Sequence, residues 1–302
     1  MELRHLRYFL AVAEHLHFGR AAEALGIRQP PLSQQIRALE EELGVPLFER
    51  SSRHVALTAA GEAFRDDARL SLAHAEAARL AARRVGRGDT GEVALGYVGS
   101  ATLTLLPQIL RRFRDRYPDV ALALRELTTT EQARALRAGN LDVGLLRPPL
   151  ADADAEALRV EPVGAERLIA ALPAGHPLAH RRTLNVRDLA GQPFVLSPRE
   201  LGPGLHDQIL DYCRRAGFTP RVTQEAVQMQ SIVALVGGGL GVSLVPASVS
   251  RLRRADVVYR PLQPATRVVH LAAARRHSDG RPTTINLMAL TRDLANARLP
   301  AA

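Results

Sequence analysis

The stretch Phe18 to Leu43, FGRAAEALGIRQPPLSQQIRALEEEL, constrains what this chain can fold into more than any other. It reads as two short amphipathic helices broken by one tight turn. Ala21, Ala22 and Leu25 share one helical face; Gly26 stops that run, and Leu32, Ile36, Leu39 and Leu43 form the apolar stripe of a second, longer helix. Pro30 and Pro31 mark the start of that helix, because an amide in the first helical turn has no intrahelical acceptor to lose. The pattern is a helix-turn-helix. Its second helix turns Gln29, Ser33, Gln34 and Arg37 outward, with Arg28, Pro30 and Pro31 at its leading end. Side chains of this kind hydrogen-bond base edges and phosphates in a major groove.

The flanking segments extend the pattern. Leu3, Leu6, Leu10, Ala13 and Leu16 recur at helical spacing, so a first helix is expected to pack on the next two, with Phe18 plugging the small core. After Gly44 come two short extended segments around Ser51 to His54, read as a β-wing. Arg50 and Arg53 would lie along the phosphate backbone or reach a minor groove, unless they are ordinary solvated loop arginines. Thr58 is placed to cap a long helix running to about Val85. Within it Phe64, Ala68, Ser71, Ala75, Ala78, Ala82 and Val85 alternate in steps of four and three, the seam of a coiled coil. Most are small enough for two copies to approach closely; packing on the helix's own domain would give a similar pattern. Arg87 to Gly91, with two glycines, reads as a hinge.

Charge does not carry the nucleic-acid reading. The chain has a formal net charge of +9, yet Met1 to Ala60 holds seven Arg against seven Glu. The excess lies further along, at Arg181-Arg182, Arg251, Arg253-Arg254 and Arg275-Arg276. All 40 basic residues are arginine, which excludes a P-loop lysine and a Schiff-base lysine together. Nothing resembles a signal peptide and no run of about 18 apolar residues could span a bilayer, so a cytoplasmic, nucleoid-associated protein is expected. Cys213, the single cysteine, sits in a helical pattern and reads as a buried, inert thiol.

From Glu92 the texture changes to alternating strands (93–98, 120–125, 141–146) and helices (106–117, 130–138). It continues through strands at 166–172, 193–197, 221–225, 241–245 and 267–274, and helices at 204–216 and 282–296. This argues for mostly parallel sheets with helices on both faces. In such folds ligands collect beyond the carboxyl ends of strands. Two strand ends here carry hydroxyls: Ser100, followed by Ala101, and Thr129 in the run Thr128-Thr129-Thr130. Both are candidates to hold a carboxylate, and both have helix capping as the plainer alternative. Arg147, after LeuAspValGlyLeuLeu, adds a possible charge partner. Catalytic motifs fail: GlyValSerLeuVal misses the nucleophile elbow at its last position, and GlyGlyGlyLeuGlyVal misses the dinucleotide fingerprint. His176 and His180 stand four apart, but Pro177 intervenes and no Cys or carboxylate cluster joins them, so neither a metal nor a cofactor is expected. A competing view, a solute-binding or enzymatic module with an incidental helical leader, has these failures and the helix-turn-helix against it.

The segment MELRHLRYFLAVAEHLHFGRAAEALGIRQPPLSQQIRALEEELGVPLFERSSRHVALTAAG resembles the N-terminal domain of LysR-type transcriptional regulators. GYVGSATLTLLPQILRRFRDRYPDV, LRAGNLDVGLLR, AGHPLA and GLGVSLVPAS resemble the effector domain of the same family. The nearest likeness is to regulators of benzoate, catechol and chlorocatechol breakdown that respond to muconate-like diacids. The resemblance implies a winged helix-turn-helix over 1–58, a linker and dimerisation helix with hinge over 59–88, and a periplasmic-binding-protein-like effector domain over 89–302. That domain would comprise two Rossmann-like α/β subdomains, I at about 92–162 plus 267–302 and II at about 163–266. It also implies a DNA-binding regulator, an activator and not an enzyme, switched by a small anionic effector. Its partners would be promoter DNA and RNA polymerase, with dimers pairing into a homotetramer and no membrane involved. Alternatively, a regulator of this type would answer to a different organic or amino acid. Ser100, Ala101, Thr129, Arg147 and Met229 fall among the implied effector contacts, with Pro203, Gly204 and Leu205 closing the other side. There relatives often carry Ser or Asn and then Phe, so this chain has a less polar, less aromatic wall.

Overall fold

The computed structural model describes residues 1–50, 54–265 and 268–297. The chain forms two compact units, Met1–Arg84 and Val85–Ala302.

The first unit contains α1 (Leu3–His15), α2 (Phe18–Ala24), α3 (Gln29–Leu43), the strands β1 (Phe48–Arg50) and β2 (Val55–Leu57), and most of α4 (Ala59–Arg87). Gly26 takes a left-handed φ of 68°, which lets the chain turn between α2 and α3. Leu32, Ile36 and Leu39 of α3 are fully buried against Ala21 and Ala22 of α2. On α1 the core residues are Leu6, Phe9 and Val12, while Leu3 and Leu16 are exposed. The leucine stripe expected there is therefore rotated: Phe9 supplies the bulk, stacking edge-on to Phe64 at 5.0 Å and tilted against Phe48 at 5.2 Å.

β1 and β2 pair antiparallel, Phe48 opposite Leu57 and Arg50 opposite Val55. One carboxylate seats this wing. Glu40 of α3 accepts the Leu47 and Phe48 amides through Oε1, at 2.9 and 3.1 Å, and Arg50 Nη2 through Oε2 at 2.6 Å. Thr58 then starts α4: its Oγ1 accepts the Gly61 amide at 2.9 Å and donates to Pro46 O at 2.7 Å. Gly61 must lack a side chain, since a Cβ would fall 2.2 Å from Leu47 O. Along α4 the seam divides. Phe64 and Ala68 pack into the first unit's own core, whereas Ser71, Ala78, Ala82 and Val85 are exposed on the single chain.

The second unit continues with β3 (Thr90–Tyr97), α5 (Leu106–Arg116), β4 (Asp119–Glu126), α6 (Thr129–Ala138), β5 (Val143–Leu146), α7 (Asp152–Ala157) and β6 (Leu158–Glu166). There follow β7 (Leu168–Pro173), β8 (Leu184–Asn185), β9 (Pro193–Leu196), α8 (Pro203–Arg215), β10 (Arg221–Glu225), α9 (Met229–Gly237), β11 (Ser243–Pro246), β12 (Val257–Gln263), β13 (Val269–Arg276) and α10 (Pro282–Asn296). Subdomain I is a five-stranded sheet in the order β4-β3-β5-β13-β6. Subdomain II has β11-β7-β12-β8 beside β10-β9, joined through a parallel bridge between Phe194 and Val242.

Neither sheet is as parallel as the alternating pattern suggested. β3 runs parallel to β4 and β5, but β13 runs antiparallel to both β5 and β6. β6 keeps to the first sheet through Glu166, beyond the boundary expected near residue 162. α9 and β12 lie in stretches that the periodicity left unassigned, and β13 begins at Val269, Arg267 lying outside the described residues. The expected hinge is shorter than five residues. Gly88 is buried against α10, where a Cβ would meet Pro282 C at 2.7 Å, and Asn286 Nδ2 donates to Arg87 O at 2.9 Å.

Two predictions follow from this packing. Glu40→Ala removes a charged acceptor shared by three donors and should destabilise the first unit by about 1.5–3 kcal/mol, read as a lower urea midpoint by circular dichroism; an unchanged midpoint would show that the wing seats itself. Burial pushes the Cys213 thiol up to about 12. The folded state therefore holds this proton more tightly than the unfolded chain, so the contribution is present at neutral pH and lost as pH rises beyond the ordinary thiol range. Cys213, fully buried, should resist a thiol reagent in the native protein and react once denatured.

Candidate functional site

The carboxyl ends of β3, β4 and β5 lie side by side because β3 pairs in register with both neighbours. The residues just beyond them are therefore brought together: Ser100 after β3, Thr128 and Thr129 after β4, Arg147 after β5. Ser100, Thr129 and Arg147 are 3%, 5% and 5% exposed. Arg147 donates to Ser100 Oγ through Nε at 3.2 Å and Nη2 at 3.0 Å, and its backbone amide donates to Thr129 Oγ1 at 3.2 Å. Nη2 also pairs with Glu166 Oε1 at 2.6 Å, while Glu166 Oε2 accepts the Ser248 amide at 2.7 Å. Nη1 is buried with no hydrogen-bond partner among the described residues.

This geometry separates binding candidates from caps. The α6 cap is Thr128, whose Oγ1 accepts the Glu131 amide at 3.3 Å while Glu131 Oε2 accepts the Thr128 amide at 2.8 Å. The Thr128 amide and hydroxyl, both donating to Oε2, hold the Glu131 carboxyl below its ordinary range. Thr129 is the first helical residue and Ser100 lies inside a short 3-10 turn capped by no side chain, so neither hydroxyl acts as the cap.

The three groups line a narrow cleft between the two subdomains. Val98, Gly99, Leu127 and Thr128 complete its floor; Ser197, Leu201, Gly202, Leu205, Val227, Gln228 and Met229 form the opposite wall. That wall contains the N-termini of α8 and α9, and neither carries a side-chain cap. Helix N-termini present unpaired amides and a positive dipole end. The cleft thus faces two anion-favouring ends across an apolar middle. Of the effector residues expected from sequence, Leu205 and Met229 line the cleft. Ala101 does not: it is fully buried in the core of subdomain I. Pro203 and Gly204 also lie off the lining; a Cβ at Gly204 would sit 2.7 Å from Pro148 C, so glycine there lets α8 approach the loop after Arg147. Ser197 and Gln228 carried no sequence signal, because each reaches the cleft from an element far away in the chain; Glu166, equally unsignalled, pairs with Arg147 without lining the cleft.

In the first unit, Arg28, Gln29, Pro30, Pro31, Gln34 and Arg37 are exposed along the leading half of α3, and Ser33 is half-buried. Arg50 is turned inward to Glu40, with its guanidinium 4.8 Å above the Phe18 ring. It braces the wing and remains an exposed residue at the end of β1. Arg53 lies outside the described residues. His176 caps a short turn, its Nδ1 accepting the Leu178 amide at 3.2 Å. Among the described residues no helix is long and apolar enough to cross a membrane.

Comparison with known proteins covers the same two parts. The description "Bacterial regulatory helix-turn-helix protein, lysR family" matches residues 3–62, and "LysR substrate binding domain" matches residues 86–295. The transcriptional regulator AlsR of Bacillus subtilis is 43% identical over 262 residues, spanning 87% of this chain and 86% of that protein. The Hca operon transcriptional activator HcaR of Escherichia coli is 39% identical over 293 residues, spanning 97% and 98%. The crystal structure of CbnR, a LysR family transcriptional regulator, aligns with a TM-score of 0.80 at 32% identity over 97% of this chain and 100% of that one. CbnR complexed with its target DNA aligns with a TM-score of 0.77 at 32% identity over 98% and 100%.

Gln29→Ala and Ser33→Ala should each weaken binding to a specific site by about 1–3 kcal/mol and leave binding to random duplex nearly unchanged. Fluorescence anisotropy with the DNA upstream of the protein's own gene and with a scrambled duplex measures both; equal losses would make these residues positioning contacts only.

Proposed function

The chain belongs to the LysR family of DNA-binding transcriptional regulators, and we propose that a small carboxylated effector, held in the cleft between its two subdomains, switches its action at promoters. The observation that carries this reading is the pair of anion-favouring ends. Ser100, Thr129 and the Arg147 guanidinium stand at one, and the uncapped N-termini of α8 and α9 at the other. A short diacid of the muconate type fits that arrangement, with a carboxylate at each end and its hydrocarbon body against Leu127, Leu201, Leu205, Val227 and Met229. An amino acid suits it less well, because among the described residues no Asp or Glu lines the cleft to receive an ammonium group. Since floor and wall belong to different subdomains, a ligand spanning both favours the closed arrangement by its differential affinity for it.

Transcription activation is the accompanying proposal, supported by the name of HcaR as an operon activator, and the target genes are proposed, from the sequence resemblance, to be those of aromatic breakdown. The exposed small residues of α4 suit a homodimer, and pairs of dimers would supply the avidity that a locally neutral DNA-reading segment needs. Contact with RNA polymerase belongs to the same proposal.

Muconate should raise the melting temperature of the protein, with stabilisation of about 2.7 kcal/mol at a hundredfold excess over its Kd. Ser100→Ala should abolish that shift while DNA binding persists. Stabilisation by amino acids alone would sink the diacid assignment, and an unchanged muconate Kd in Ser100→Ala would remove Ser100 from the site.

A further inference from the structure

Beneath the polar floor of the cleft one side chain holds together the strand ends that create it. Gln132 on α6 is fully buried. Its Nε2 donates to Leu127 O at 2.9 Å and to Leu145 O at 3.2 Å. Leu127 directly precedes Thr128 and Thr129. Leu145 stands two residues before Arg147, and its carbonyl also accepts the amide of Val98, which leads into Ser100, at 2.9 Å. The remaining seam is closed by the backbone, where the Leu127 amide donates to Tyr97 O at 3.0 Å. Two carbonyl acceptors require the NH₂ end of the side chain at this point, so the network itself orients the amide.

The sheet is built to admit this group. Gly96 of β3 and Gly144 of β5 are register partners. A Cβ at Gly144 would fall 2.9 Å from Gln132 Oε1, and one at Gly96 would fall 3.1 Å from its Cγ. Two adjacent glycines thus open a slot across the strands, and the glutamine lies in it. Oε1 is buried there without a hydrogen-bond partner among the described residues. A leucine would remove the unmet Oε1 but would also take the Nε2 donor from Leu127 O and Leu145 O, so the amide is present for the two carbonyls it bridges and not for packing alone.

We propose that Gln132 is a positioning residue for the effector: by clamping the ends of β4 and β5 it sets the spacing of Ser100, Thr129 and Arg147. The proposal rests on the effector reading of the cleft, and its test separates the two. Gln132→Leu should retain the wild-type circular dichroism and DNA binding, while muconate Kd by calorimetry rises at least tenfold. Gly144→Ala, which keeps the glutamine but fills its slot, should raise Kd in the same way and stands in if Gln132→Leu fails to fold. Hydrogen exchange on ligand-free Gln132→Leu needs no effector: faster exchange confined to residues 126–132 and 143–148 supports the clamp. Wild-type Kd in both variants, or wild-type exchange in those segments, overturns it. Should the wild-type protein bind no muconate while exchange quickens as stated, the diacid reading fails and the clamp stands.

Discussion

The buried Arg147 guanidinium is the interaction on which the second unit depends. A cation taken out of water is tolerated only when its hydrogens are met, and removing one partner of a buried pair costs about 3–5 kcal/mol. Here the partners come from separate elements: Ser100 after β3, and Glu166 at the last position of β6 before the chain crosses to subdomain II. Glu166 in turn takes the Ser248 amide, so one carboxylate ties both subdomains to the same charge. Ser100, Thr129 and Arg147 line the cleft, while Glu166 meets the same guanidinium without lining it.

The first unit solves a different problem with similar means. Three short helices and a two-stranded wing enclose little apolar area, so directional contacts must define the wing. Glu40 supplies them from the recognition helix itself, accepting two amides and the Arg50 guanidinium. The wing is thereby registered to the helix it flanks. That arrangement pairs Arg50 with Glu40, and seven Arg are balanced by seven Glu in Met1 to Ala60, so the unit carries no net surplus of charge. The net charge of +9 therefore says little about how this unit would meet DNA, and the exposed polar face of α3 around Gln29 and Gln34 is the part of it open to such contact.

Much of this was legible in the residue order. Local rules sufficed for α2, the turn at Gly26, the proline start of α3 and the Thr58 cap, because each depends on neighbours within a few positions. The same rules misplaced the buried face of α1, since Phe9 and Val12 are selected by Phe48 and Phe64 across the unit and not by leucine spacing. They also offered Thr129 as a cap, whereas the cap is Thr128 and Thr129 is the first helical residue. Which of two adjacent threonines caps a helix is decided by where the strand before it ends, and that is set by pairing with β3.

Sequence by itself determined the family, the helix-turn-helix, the long α4 with its small-residue seam, and the α/β character of the rest, all consequences of periodicity, capping and turn chemistry over short spans. Only the tertiary structure decided that β13 runs antiparallel into the first sheet, that Ala101 belongs to the core, and that Arg50 is a strut. It alone joined Glu166, Ser248 and Gln132 to the site. Those outcomes depend on register between strands distant in the chain and on which buried polar atoms find partners, quantities that no local pattern encodes.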